Sequence, residues 1–127
     1  MSTSSSIKEE ISLKKFKEKV LNDFRTICLS REISILGRRE VLLGRGKFGI
    51  FGDGKELPQV VVSHFFKNGD FRSGYYRDLT ILLSQDLLSA REFFSAIYGH
   101  PDQIYERMAG GRQMVGHFLT DLIDENK

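Results

Sequence analysis

The sequence predicts a mainly helical protein, and three observations carry that prediction. Apolar residues near the N-terminus recur at helical spacing, Ser89 and Glu92 spell a capping box, and neither a clean hairpin pattern nor an internal repeat is present. At 127 residues the chain is one domain at most, yet long enough to bury a core. Hydrophobic residues at 40% and charged residues at 28% are ordinary for a soluble globular protein. A net charge of +2 is too small to argue for nucleic acid by itself.

Residues 1–7 read as a small, polar, disordered tail, and residues 8–127 as a single helical segment. The tail lacks the apolar stretch of a secretory signal, and Glu9, Glu10 and Glu18 argue against a transit peptide. No run approaches the length of a membrane span, so a cytoplasmic location is expected.

From Lys8 to about Leu36, Leu13, Phe16, Val20, Phe24 and Ile27 step by three and four, with Leu21 and Cys28 widening the stripe. This predicts a long amphipathic helix whose apolar face is core and whose Lys14, Lys15, Lys17, Lys19 and Arg25 are solvated. The lone Cys28 excludes an internal disulfide and, lying in the stripe, reads as an inert core thiol. Gly37 interrupts the pattern, and the stretch from Gly44 to Gly54 is too glycine-rich for regular helix.

Leu57-Pro58-Gln59 opens a second helix, which is expected to run to Phe66 and stop at Lys67-Asn68-Gly69. Asp78 to about Gln85 forms a short apolar helix. Ser89 then opens a helix carrying Phe93, Phe94, Ile97 and Tyr98, closed by Gly99 with Pro101 beyond. From Pro101 to Met114 the pattern dissolves into loop, apart from a turn around Gln103 to Arg107.

Several motifs fail on context. Gly44-Arg45-Gly46-Lys47-Phe48-Gly49 spells the dinucleotide fingerprint, but a helix precedes it and more glycine follows. It reads as a loop that needs close backbone approach. His64, His100 and His117 are scattered without metal-ligand spacing, and only His117 is a candidate for a functional neighbourhood. No nucleophile elbow and no Cys/His pair supports a hydrolase.

The most informative stretch is Asp70-Phe71-Arg72-Ser73-Gly74-Tyr75-Tyr76-Arg77-Asp78, just ahead of the apolar run Leu79 to Leu83. Such a turn can aim a guanidinium fork, a phenol and helix N-terminal amides at one anionic group, phosphate above all. From composition alone it would rank as a surface turn with solvated charges. The mixture of basic and aromatic groups also suits single-stranded nucleic acid, but it is one cluster, neutralised by Asp70 and Asp78.

Together with Gly54-Lys55-Glu56 before it and Gly111-Arg112-Gln113-Met114 after it, this stretch resembles the alpha part of the thiamine-diphosphate-dependent decarboxylating component of 2-oxo acid dehydrogenase complexes. The similarity runs from about Phe24 to Phe118, and the order and spacing of the pieces carry it. Gly111-Arg112-Gln113-Met114 with His117 is similar to the branched-chain, 2-oxoisovalerate type, which leaves a pyruvate dehydrogenase as the other substrate choice. Ile50 stands where some relatives place a cofactor-contacting histidine.

The resemblance implies the helical N-terminal portion of an α/β thiamine-diphosphate-binding fold, with Tyr76 and Arg77 holding the cofactor diphosphate and Tyr75 at a neighbouring cofactor-contact position. It implies no catalytic residue and no metal ligand in this chain. The metal motif of the family, which holds magnesium, would follow Lys127. Gly52-Asp53-Gly54 has its letters but precedes the Tyr-Arg site. A beta subunit, or a fused beta half, would supply the glutamate that activates the thiazolium ring, and a lipoyl transacylase would accept the acyl group. The chain alone is expected to be inactive and to work in an oligomer, without nucleic acid or membrane partners. The competing class is a non-catalytic helical interaction module that pairs with an acidic partner through the basic face of its first helix.

Overall fold

The computed structural model describes residues 12–67, 70, 72, 74–107 and 109–112. Four helices follow one another, α1 Leu13–Leu42, α2 Glu56–Ser63, α3 Leu79–Ser84 and α4 Ala90–Tyr98, and there is no strand among the described residues. The expected mainly helical character is therefore present. The expected disordered tail lies outside the described residues.

Helix α1 begins later and ends later than its apolar pattern predicts. Ser12 caps it by accepting from the Lys15 amide, and the helix continues through Gly37 to Leu42. Gly37 is not a breaker here. Its missing side chain admits Phe51 and Ile97, and a Cβ at this position would lie 2.5 Å from the Phe51 ring. Close approach of the loop and of α4 outweighs the roughly 1 kcal/mol that glycine costs in a helix.

The buried face of α1 also differs from the expected one. Ser30, Ile33, Ser34, Gly37 and Glu40 face inward, whereas Phe16 is 54% exposed and Phe24 62% exposed. Leu13, Val20 and Leu21 are exposed with them, and so is Cys28, which is therefore not a core thiol. The apolar stripe of the first four turns reaches beyond the part of α1 that α2, α3 and α4 cover. Small residues occupy the covered part because α3 packs close there: the Ser30 and Thr80 hydroxyls lie 2.7 Å apart in the interior.

The core gathers on α3. Leu79, Leu82 and Leu83 join Ile33, Leu88, Phe93 and Ile97 in one cluster, with Val41 and Phe51 against it. Every residue from Leu79 to Leu83 is buried, so this six-residue helix is stabilised by packing rather than by its own length. Each such leucine contributes about 1.5–3 kcal/mol of burial.

Helix α2 is shorter than expected. It ends at Ser63, whose carbonyl accepts from Gln85 at 2.8 Å and from the Phe66 amide at 3.2 Å, and the chain turns at His64 and Phe65. At its other end Glu56 is buried and takes both the Arg31 guanidinium and the Gly54 amide. Helix α4 matches the sequence reading at both ends. Ser89 accepts from the Glu92 amide, Glu92 accepts from the Ser89 amide, and Gly99 adopts φ 66°, ψ 44°.

The glycine-rich stretch is a loop that wraps the end of α1. The Arg45 and Gly46 amides both donate to the Glu40 carbonyl, and Lys47 donates to the Ile97 carbonyl. Asp53 of Gly52-Asp53-Gly54 forms an ion pair with Arg38. Beyond α4, Tyr105 and Glu106 donate to the Asp102 carbonyl in the turn foreseen there.

Candidate functional site

The turn that links α2 to α3 is the only place where the sequence-predicted site residues meet among the described residues. Tyr75 and Tyr76 stack with ring centroids 3.9 Å apart and tilted by 35°. Their hydroxyl oxygens are 2.6 Å apart. Arg77 folds back over both rings, its guanidinium carbon 5.1 Å and 5.2 Å from the two centroids, and its Nη2 reaches the Tyr75 oxygen at 3.4 Å. A cation over two phenol faces is held by their quadrupoles at little cost in hydration. Arg77 forms no ion pair with a carboxylate among the described residues.

The shared hydroxyl proton makes the two phenols unlike. In the neutral pair Tyr75 donates to Tyr76. Once Tyr75 ionises, Tyr76 becomes the donor, and this bond, followed by those of the Arg77 guanidinium and the nearby positive charge of Lys55, draws the Tyr75 hydroxyl below the ordinary tyrosine range. The same hydrogen bond, with Tyr75 as partner, pushes Tyr76 up. The Arg77 guanidinium and two hydroxyls thus converge on one exposed corner, a donor set that suits an anion with several oxygens.

The second arginine of the stretch has a different task. The Arg72 side chain is 6% exposed and donates to Asp78 Oδ2 at 2.7 Å, and the Tyr75 amide donates to the same oxygen at 2.9 Å. Asp78 therefore ties the turn together and provides no side-chain cap to α3. Only one of the two guanidinium groups faces the corner where the hydroxyls lie.

Two of the helix amides expected to join the site are already taken. Gln59, on α2, accepts from the Thr80 amide at 3.0 Å and from the Ile81 amide at 3.3 Å through one oxygen, and donates to the Arg77 carbonyl at 2.9 Å. Gly52 stands against the same carbonyl. A Cβ there would lie 2.5 Å from the Arg77 oxygen, so only glycine lets the loop approach. Sequence reasoning missed Gln59. The available signal was a single amide in the apolar run Leu57 to Val62.

The other parts of the resemblance fall elsewhere. Glu56 is spent on Arg31, at the junction of α1 and α2. Gly111 packs on the Gly99 and His100 backbone, and Glu106 accepts from its amide at 2.9 Å. Gln113, Met114 and His117 lie outside the described residues. His64 is engaged by Asp23 at 2.9 Å, in keeping with a structural role. No group of three His, Cys, Asp or Glu side chains among the described residues is placed to hold a metal ion. No helix is long and apolar enough to cross a membrane.

The chain matches no protein-family model, no curated protein and no solved structure.

Proposed function

We propose that this chain is the N-terminal part of a 2-oxo acid dehydrogenase and anchors the diphosphate of thiamine diphosphate through Tyr75, Tyr76 and Arg77. The observation that carries the reading is the convergence of the Arg77 guanidinium with two hydrogen-bonded phenol hydroxyls at one exposed corner, with no carboxylate ion-paired to Arg77 among the described residues. A carboxylate-paired arginine would already be neutralised, whereas this one holds its charge available for phosphate oxygens.

The bound cofactor supplies the carbanion chemistry of the decarboxylation. Arg77 contributes a charge-assisted donor, Tyr76 a hydroxyl donor beside it, and Tyr75 the bridge that orients both. Magnesium and the glutamate that activates the cofactor belong to residues outside this chain, in the remainder of the alpha part and in a beta subunit or fused beta half. A lipoyl transacylase would accept the acyl group. In this reading the substrate is a 2-oxo acid, a branched-chain one or pyruvate, the setting is the cytoplasm, and the isolated chain is inactive.

The test is Arg77→Ala in the enzyme assembled with its beta half. Affinity for thiamine diphosphate is expected to fall by roughly 1.5–3 kcal/mol, the worth of a hydrogen bond to a charged group. The melting temperature is expected to change little, because the Arg77 guanidinium engages only the two phenols of the turn and no carboxylate among the described residues. An unchanged dissociation constant would sink the assignment.

One observation favours a second reading. The exposed apolar stripe Leu13, Phe16, Val20 and Phe24 runs beside Lys14, Lys15, Lys17 and Lys19. A helix that presents such a face docks on an apolar groove with acidic rims, which fits a non-catalytic interaction module. The same face would serve as the subunit contact in the enzyme, so cofactor binding at Arg77 separates the two readings.

A further inference from the structure

Gln59 divides one carboxamide between the two ends of the Tyr-Arg turn. Its Oε1 faces the Thr80 and Ile81 amides at 3.0 Å and 3.3 Å, and its Nε2 faces the Arg77 carbonyl at 2.9 Å. The orientation is settled by its partners. Exchanging oxygen and nitrogen would set donors against two amides and an acceptor against a carbonyl. Both lone-pair directions of the oxygen are thereby used, and the first amides of α3 have an acceptor from within the protein.

This has two consequences for an anion at the turn. Free amides at a helix start attract phosphate, but here a neutral side chain occupies two of them. The backbone from Arg77 to Ile81 is also clamped to α2, and Gly52 backs the Arg77 carbonyl from the other side, with no room for a Cβ. The Arg77 side chain is thus launched from a fixed base towards the two phenols. A fixed base lowers the ordering cost of binding.

The geometry points to Gln59 as the positioning residue of this site: it holds the Arg77 backbone and occupies the Thr80 and Ile81 amides, so that a diphosphate is gripped by the side chains of Tyr75, Tyr76 and Arg77. The inference rests on the anion-site reading given above. It adds that the grip comes from side chains and not from the Thr80 and Ile81 amides.

Inorganic pyrophosphate is the probe, titrated into the full chain and followed by calorimetry and by amide and guanidinium nuclear magnetic resonance. In the unaltered protein the Arg77 Nε–H signal is expected to move, while the Thr80 and Ile81 amides stay in place. Gln59→Leu removes donor and acceptor at similar volume. Gln59→Glu keeps an acceptor for the amides but loses the donor to the Arg77 carbonyl, so it tests the clamp even if the leucine variant fails to fold. Both are expected to weaken pyrophosphate binding about tenfold, and in Gln59→Leu the freed Thr80 and Ile81 amides should begin to respond to the anion.

Unchanged affinity in a folded Gln59→Glu chain, with Arg77→Ala defective, would overturn the role of Gln59 and leave the anion site standing. So would pyrophosphate shifts at Thr80 and Ile81 in the unaltered protein. If the unaltered protein does not bind pyrophosphate, or Arg77→Ala binds it equally well, the anion site itself falls and this inference falls with it.

Discussion

Arg31 grips Glu56 side-on where α1 meets α2, with Nε 2.6 Å from one carboxylate oxygen and Nη2 2.9 Å from the other. The pair is lopsided: the glutamate side chain is 4% exposed and the arginine 47%. The arginine bond, aided by amide donors that include Gly54, outweighs the burial that opposes ionisation and holds the Glu56 carboxyl at about 2 instead of its ordinary 4.5.

A folded-state value below the ordinary one means that ionised Glu56 contributes stability above about pH 4.5, and that this contribution is lost as pH falls towards 2. Glu56→Gln is expected to cost roughly 1.5–3 kcal/mol at neutral pH, since it replaces a charge-assisted pair. The gap between the two proteins should then narrow steadily through that acid window. Urea unfolding at stepped pH measures it, and a constant gap down to pH 2 would contradict the assignment.

Gly52 and Gly44 are both glycines in loops, but substitution should act on them by different routes. Gly52→Ala drives a methyl into the Arg77 carbonyl, a backbone atom that Gln59 also holds, and is expected to cost about 1–3 kcal/mol. At Gly44 the surrounding space is open but φ is +73°, so Gly44→Ala carries only the left-handed backbone cost of about 1 kcal/mol. Gly44→Asn should recover part of the loss, whereas Gly52→Asn should not. Thermal unfolding of the four variants distinguishes steric from conformational demand.

The two phenols of the turn should ionise in a set order. Tyr75 is expected to titrate before Tyr76, because Tyr76 donates to its phenolate and Arg77 and Lys55 lie close by. Arg77→Met should raise the lower of the two steps and Tyr76→Phe should raise it further. Phenolate absorbance across an alkaline titration reports both. Two steps that ignore Arg77→Met would mean that the guanidinium does not sit over the pair.

Phe16 and Phe24 stand out from α1 and contribute little to the core. Phe16→Glu with Phe24→Glu is therefore expected to shift stability by no more than about 0.5 kcal/mol per site. The same changes should abolish any concentration-dependent association seen by sedimentation velocity, because two charges interrupt the stripe. A large loss of stability would show instead that these side chains are packed.

Local signals were legible wherever the neighbours within a few residues decide the outcome. Ser89 and Glu92 close a capping box on each other, Gly99 supplies the left-handed residue that ends α4, and both lie within one short stretch. The run Leu79 to Leu83 could only be a buried helix once a core existed to take it. The Tyr75-Tyr76-Arg77 cluster was equally visible, because adjacent residues in a turn have little freedom to separate.

What the sequence alone could not decide was which faces are covered and which polar groups are spent. The spacing of Leu13, Phe16, Val20 and Phe24 determined a helix with an apolar stripe, but only the packing of α2, α3 and α4 showed that the covered face is Ser30, Ser34 and Gly37. Gly37 carries the same letter whether it ends a helix or admits Phe51. The composition of the turn determined that cations and phenols share a corner. Only the tertiary structure decided that Arg72 is held by Asp78, and that Gln59, eighteen residues before Arg77, takes the Thr80 and Ile81 amides. Backbone geometry and capping depend on short-range sterics and so can be read along the chain, whereas burial and hydrogen-bond satisfaction depend on neighbours that only folding brings together.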